Sequence, residues 1–202
     1  MNPVRILGIG SPVAGDDLGW RLAEALEQAG LPRYFPAGVV HVTICDRPGS
    51  LLLPAMRGAR LAILLDAMRS GALPGTVRRL DMLELDDSTG LLSSHGFGVA
   101  EALALGRALE DLPPRVLIYG IETGHVSSLP PPGDLAALLW PTIIDDIRVC
   151  MKEPGVVPLA MESKQKSGGA SLRTGNSVTS LGWYPAPSCM PERQSPGLAH
   201  PP

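Results

Sequence analysis

Two adjacent carboxylates, Asp16 and Asp17, follow the run Ile6-Leu7-Gly8-Ile9-Gly10-Ser11-Pro12-Val13-Ala14-Gly15. An apolar run, glycines and then an amphipathic pattern read as strand, tight turn and helix start. Gly10 and Gly15 have the G-x-x-x-x-G spacing of a phosphate loop, but Lys and Ser/Thr should come next and two aspartates stand there instead. A dinucleotide fingerprint fails as well, since its third glycine would fall at Val13. A phosphate at this helix start would face two negative charges at close range, whereas a cation would be attracted. The plain alternative is that Asp16 or Asp17 caps the helix, a role Asp fills well.

Two further residues stand at comparable places. Asp66 ends the uninterrupted apolar run Leu61-Ala62-Ile63-Leu64-Leu65, and His95 lies near the end of a polar, glycine-containing stretch, Asp86 to Gly96. Open parallel sheets gather their functional groups at the carboxyl ends of strands. Two carboxylates and an imidazole converging there could bind a borderline divalent metal such as zinc or nickel. Each residue has an ordinary reading too. Asp66 could cap a turn at Ala67, Ser94 could cap the next helix with His95 a bystander, and His125, also placed after a strand, is the rival ligand. His41 falls within a strand and His200 in the tail, so neither is a candidate.

The elements that must position these groups follow from periodicity. Val4 to Gly10 reads as a buried strand, and Leu18, Leu22, Leu26 and Ala29 share one helical face that ends at Gly30 and Pro32. Val39 to Cys45 is a second strand, Ser50 to Gly58 a short helix, and Leu61 to Leu65 a strand covered on both faces. Thr76 to Leu80, carrying Arg78 and Arg79, is an edge strand. Val99, Ala102, Leu103, Gly106 and Leu109 mark another helical face, and Arg115 to Ile121 a further central strand. Leu135, Leu138, Leu139, Thr142, Ile143, Ile147 and Met151 mark a last helix, with Pro141 a kink. Strands alternating with helices imply a three-layer α/β/α fold around a mostly parallel sheet.

The 202 residues suit one domain with a sizeable core, and 45% hydrophobic residues fit a globular chain. A formal net charge of −3 argues against a general nucleic-acid binder. Cys45, Cys150 and Cys189 are far apart and form no C-x-x-C pair, so neither a disulfide framework nor a zinc ribbon is indicated. The H-E-x-x-H motif of zinc proteases is missing, and Cys45, without an evident His partner, reads as a buried or inert thiol. With no signal segment and no apolar run of spanning length, the expectation is a soluble cytoplasmic protein that does not insert in membranes. From Lys152 to Pro202, 21 of 51 residues are Pro, Gly or Ser, which divides the chain into an α/β domain over 1–151 and a tail over 152–202 that reads as disordered.

Taken in order, Gly8-Ile9-Gly10-Ser11-Pro12, Gly15-Asp16-Asp17-Leu18-Gly19, Leu65-Asp66-Ala67, Ser94-His95-Gly96 and Tyr119-Gly120-Ile121-Glu122 resemble the hydrogenase maturation endopeptidases. Members of that family trim the C-terminal extension from the large subunit of nickel–iron hydrogenases. The resemblance spans about Val4 to Met151 and implies an α/β/α fold with a nickel-recognition site. It places the family's metal-reading positions on Asp17, Asp66 and His95. Many members carry Glu where this chain has Asp17, one methylene shorter. The resemblance further implies that the nickel arrives with the substrate, a hydrogenase large-subunit precursor. Asp16, beside the site, is the candidate to take the proton of the attacking water. Two other classes stay open on sequence alone: a peptidase or amidase with permanently bound zinc or another divalent metal, and a non-catalytic α/β binding module.

Overall fold

The computed structural model describes residues 3–13, 16–82, 98–124 and 129–152. Five strands form one sheet in the order β2-β1-β3-β5-β4. They are β1 (Val4–Gly10), β2 (Val40–Asp46), β3 (Leu61–Met68), β4 (Val77–Asp81) and β5 (Arg115–Glu122). β1 pairs in parallel with β2 and β3, and β3 in parallel with β5, while β4 runs antiparallel on the far edge. The helices are α1 (Leu18–Gln28), α2 (Leu52–Met56), α3 (Val99–Ala108) and α4 (Pro132–Lys152), with short 3-10 turns at Leu31–Tyr34 and Gly49–Leu51. The expected mostly parallel α/β architecture is therefore the one observed, with Thr76–Leu80 correctly read as an edge strand.

Each face of the sheet carries its own core. On one side Leu18, Leu22 and Leu26 of α1 and Leu135, Leu139, Ile143 and Ile147 of α4 pack against Ile6, Ile63, Leu65, Leu117 and Tyr119. On the other, Leu53 and Met56 of α2 and Ala102 and Leu103 of α3 cover Leu7, Ile9, Ala62, Leu64 and Ile118. The eight residues of β3 are all buried, as a central strand covered on both faces requires.

Four sequence expectations need correction. β3 does not end at Asp66 but continues to Met68, because β5 supplies partners that far: Asp66 pairs with Gly120, Ala67 with Ile121 and Met68 with Glu122. Ala29 is the C-cap of α1 and is exposed. Leu109 is likewise the C-cap of α3 and faces solvent. In α4, Leu138, Thr142 and Met151 are exposed; the inward stripe instead runs through Leu135, Leu139, Ile143, Ile147 and Cys150, with Asp146 buried among them. Pro141 lies inside α4 without dividing it. The stretch expected as a loop, Asp86 to Gly96 with His95, lies outside the described residues, as do His125 and the tail beyond Lys152.

Candidate active site

Glycines in β1 and in the first turn of α1 explain how the first acidic pair is placed. A Cβ on Gly19, in the first turn of α1, would lie 2.2 Å from the Ile9 carbonyl oxygen and 2.3 Å from that of Leu65. A Cβ on Gly8 would lie 2.4 Å from the Gly19 carbonyl oxygen, and one on Gly10 would lie 2.3 Å from that of Asp16. Bare backbone at these positions lets the start of α1 rest directly on the carboxyl ends of β1 and β3. The glycine pattern therefore serves close helix–strand packing, in agreement with the exclusion of a phosphate loop.

That packing fixes where Asp17 and Asp66 lie. Asp17 is two residues before Gly19, and Asp66 is one residue after Leu65, whose carbonyl Gly19 abuts. The last β1–β3 pair is Gly8 with Leu65, so Asp66 is the first β3 residue beyond the pairing with β1. β1 is also the strand at which the order reverses, with β2 on one side and β3 on the other. Asp17 and Asp66 thus border the crevice at the topological switch point, where open α/β sheets bind their ligands. Asp66 is only 1% exposed, and one carboxylate oxygen, Oδ1, accepts the Ala67 N–H at 2.9 Å. Asp17 occupies the N-cap position of α1 but makes no side-chain capping bond, so the simple capping role is not the one it fills.

Asp16 is engaged differently. Its carboxylate accepts the hydroxyl proton of buried Ser11, its backbone N–H donates to the Val13 carbonyl, and its own carbonyl accepts the Ser11 N–H. These bonds close the loop between β1 and α1. The end of β2 is tied to the same corner. The Trp20 indole N–H donates to the Cys45 carbonyl at 2.9 Å, and the Arg47 N–H to the Gly10 carbonyl at 2.8 Å. Arg47 adopts a left-handed backbone (φ 41°) there. Its guanidinium pairs with Asp46, which, with a smaller contribution from Asp16, raises the Arg47 pKa. Cys45 itself is buried in β2, consistent with an inert thiol.

Among the described residues, no group of three His, Cys, Asp or Glu side chains is placed to hold a metal ion. The described members of the expected ligand set are its two carboxylates. The chain re-enters the description at Gly98, the N-cap of α3. Arg107, near the other end of α3, donates to the Met82 carbonyl just beyond β4, whose end Asp81 lies at the opposite edge of the sheet, paired with Leu117. The N-terminus of α3 therefore points to the carboxyl edge. It lies on the face that also covers Ala62 and Leu64, to which strand alternation assigns Asp66.

One buried group at this edge had no role assigned from sequence. Glu122, the last residue of β5, is 2% exposed, and its Oε2 accepts the Ser70 N–H at 2.6 Å and the Ser70 hydroxyl at 2.7 Å. Burial pushes its pKa up, but the bonds from Ser70, with further ones from the Gly124 and Ala72 amides, outweigh that and hold it below the ordinary carboxylate range. The only sequence sign was its place at the end of the Tyr119-Gly120-Ile121-Glu122 motif.

Comparison with known proteins follows the same lines. A family model described as hydrogenase maturation protease matches residues 20–132. The match includes Asp66 and His95, while Asp16 and Asp17 stand just ahead of it. The hydrogenase expression/formation protein HupD of Thiocapsa roseopersicina is 26% identical over 188 residues, covering 92% of this chain and 78% of that one. Among solved structures, the hydrogenase maturating endopeptidase HybD from E. coli is 25% identical, covers 74% of this chain and 92% of its own, and superposes with a TM-score of 0.53. A NiFe hydrogenase maturation protease HybD from Thermococcus kodakarensis shares the fold at 18% identity, covering 72% of this chain and 98% of its own with a TM-score of 0.51.

Proposed function

Because the chain belongs to the hydrogenase maturation protease family and is a peptidase, we propose that it removes the C-terminal extension of a nickel–iron hydrogenase large-subunit precursor once nickel has been inserted. The observation that carries this reading is the placement of Asp17 and Asp66. Bare glycine backbone seats α1, which Asp17 precedes, on the carboxyl ends of β1 and of β3, the strand that carries Asp66. Oxygen donors of this kind, with the imidazole of His95 as third ligand, suit nickel, and zinc as well.

In this reading the nickel is part of the substrate, held by the precursor's own side chains. Asp17, Asp66 and His95 complete its coordination and so admit only a loaded precursor. A divalent ion next to the scissile peptide polarises the carbonyl and acidifies a bound water. The chain's part is to hold the peptide beside Asp16, whose carboxylate, oriented by the Ser11 hydroxyl, accepts the proton of the attacking water. Asp16 thus handles the proton while the next residue, Asp17, reads the metal. The tail over 152–202 takes no part in this scheme, which needs only groups of the α/β domain.

The test is direct incubation of the purified chain with a large-subunit precursor, with metal analysis of the chain beforehand. Cleavage near the precursor's C-terminus by metal-free enzyme supports the reading. A stoichiometric metal that the enzyme needs for cleavage would instead make the ion resident and the nickel-reading role wrong.

A further inference from the structure

The loop between β3 and β4 is held in an unusual way. Its hub is a buried carboxylate with no arginine or lysine bound to it among the described residues. Glu122 takes the Ser70 amide and hydroxyl, and the nearby Ala72 and Gly124 amides help hold its pKa down. Its backbone is used as well: the Glu122 N–H donates to the Thr76 carbonyl, and its carbonyl accepts the Gly75 N–H, both at 2.8 Å. The two chain segments also touch without spacing. A Cβ on Gly124 would lie 2.6 Å from Pro74, and one on Gly75 would lie 2.8 Å from Pro130. A carboxylate taken out of water is tolerated only when donors replace its hydration, and here loop amides do so.

The outcome is a rigid loop at the carboxyl edge of the sheet, beginning four residues after Asp66. At its tip it carries Leu73, an apolar side chain 80% exposed, more than any other large hydrophobic among the described residues. Packing does not explain Leu73, since it covers neither core. A loop fixed from inside by a buried anion, with its one large apolar side chain turned outward at the carboxyl end of the sheet, is arranged for contact with something else. The reaction of this family supplies that partner, because its substrate is a protein.

We propose that the 70–76 loop is a preformed contact for the protein substrate, with Leu73 the side chain that touches it and Glu122 the residue that positions it. This inference rests on the proposed function. Preorganisation matters because a loop ordered only upon binding would lose affinity to the entropy of ordering.

The experiment measures kcat and KM for precursor processing in Leu73→Ser, Glu122→Gln and Glu122→Ala, alongside amide exchange at Ser70, Ala72 and Gly124. Leu73→Ser should unfold at the wild-type temperature and keep kcat, but raise KM about tenfold, the scale of one lost leucine contact. Glu122→Ala should expose the three amides to exchange and raise KM by a similar factor. Glu122→Gln, which keeps one acceptor oxygen, should fall between Glu122→Ala and wild type. The double variant of Leu73→Ser and Glu122→Ala should be no worse than Glu122→Ala alone, since both act through one loop. An unchanged KM in Leu73→Ser overturns the contact. Unchanged amide protection in both Glu122 variants, or lost protection with unchanged KM, overturns the positioning role. A wild-type chain that leaves the precursor uncut fails the proposed function itself and removes this inference with it. These results are distinct, because the others all require an active wild type.

Discussion

At the scale of single residues, Asp17 and Asp66 carry different demands. Asp66 sits inside a strand, is 1% exposed and shares one oxygen with the Ala67 amide. Asp17 sits at a helix start, half buried, with no capping bond to distract it. Asp66→Asn keeps the Ala67 bond but removes the charge, so processing should fall about 100-fold or more while thermal unfolding shifts little. Asp17→Glu keeps the charge and lengthens the arm, and should retain processing within about tenfold, whereas Asp17→Asn should lose it like Asp66→Asn. Rates of precursor cleavage measured beside melting curves decide this. Equal activity in Asp17→Asn and wild type would remove Asp17 from the site. Both aspartates stood out as candidates in the sequence, Asp66 because it follows an uninterrupted apolar run and Asp17 because it follows a strand and a glycine-containing turn at a helix start. Glu122 was not legible as a hub, because its partners include backbone amides of a loop some fifty residues earlier, and backbone donors leave no mark on side-chain types. His95 lies outside the described residues, so its part in the site remains a proposal carried by the resemblance.

At the scale of elements, the docking of α1 on the sheet sets the site. A methyl group on Gly19 has two carbonyl oxygens in its way and no flexible side chain to displace. Gly19→Ala should destabilise the fold by about 2–3 kcal/mol by lifting the helix start, and processing should fall further than stability alone explains. Denaturant unfolding beside cleavage assays would show it. A second junction ties β4 to α4. Arg79 binds Asp146 through two bonds of 2.9 and 2.7 Å, and the Tyr119 hydroxyl donates to the same carboxylate at 2.5 Å. Burial raises the Asp146 pKa, but Arg79 and Tyr119 outweigh it and leave it depressed. Burial, together with the bond to Asp146, pushes the Tyr119 pKa well up. A carboxyl depressed in the fold stabilises it fully above the unfolded value, about 4, and that contribution fades as pH falls through the folded value. Asp146→Asn should therefore cost about 2 kcal/mol at pH 7. That is less than the loss of a wholly buried pair, because the Arg79 side chain is 37% exposed. The deficit should shrink as pH falls below about 4, where the unfolded chain protonates this carboxyl first, and vanish once pH passes the depressed folded value; urea titrations at pH 7 and pH 3 test this, and a deficit independent of pH would contradict it. The edge position of β4 was readable from its arginines. The inward face of α4 was only partly readable, because a buried aspartate breaks the apolar stripe and its reason, Arg79, lies 67 residues away.

At the scale of the whole molecule, residues 3–152 already supply five strands and helices on both faces of the sheet, each closing its own core. Truncation after Lys152 should accordingly leave the unfolding temperature and precursor processing unchanged, and a fall in either would move the domain boundary into the tail. Among the described residues no helix is long and apolar enough to cross a membrane. The architecture was legible because alternating strand and helix periods leave few ways to cover a parallel sheet. Residue types alone made the chemistry legible only as far as two carboxylates and an imidazole near strand ends; the ordered motifs, by their resemblance, gave a class of reaction, and the family match agrees with it. The central proposal is that the crevice bordered by Asp17 and Asp66 reads nickel in the substrate before the peptide is cut. The most direct measurement is the intact mass of one large-subunit precursor, nickel-loaded and nickel-free, after incubation with the wild-type chain and with Asp66→Asn. The wild type should shorten the loaded precursor at its C-terminus and leave the nickel-free one whole, and Asp66→Asn should leave both whole. Cleavage of both forms alike by the wild type, or undiminished cleavage by Asp66→Asn, would contradict it.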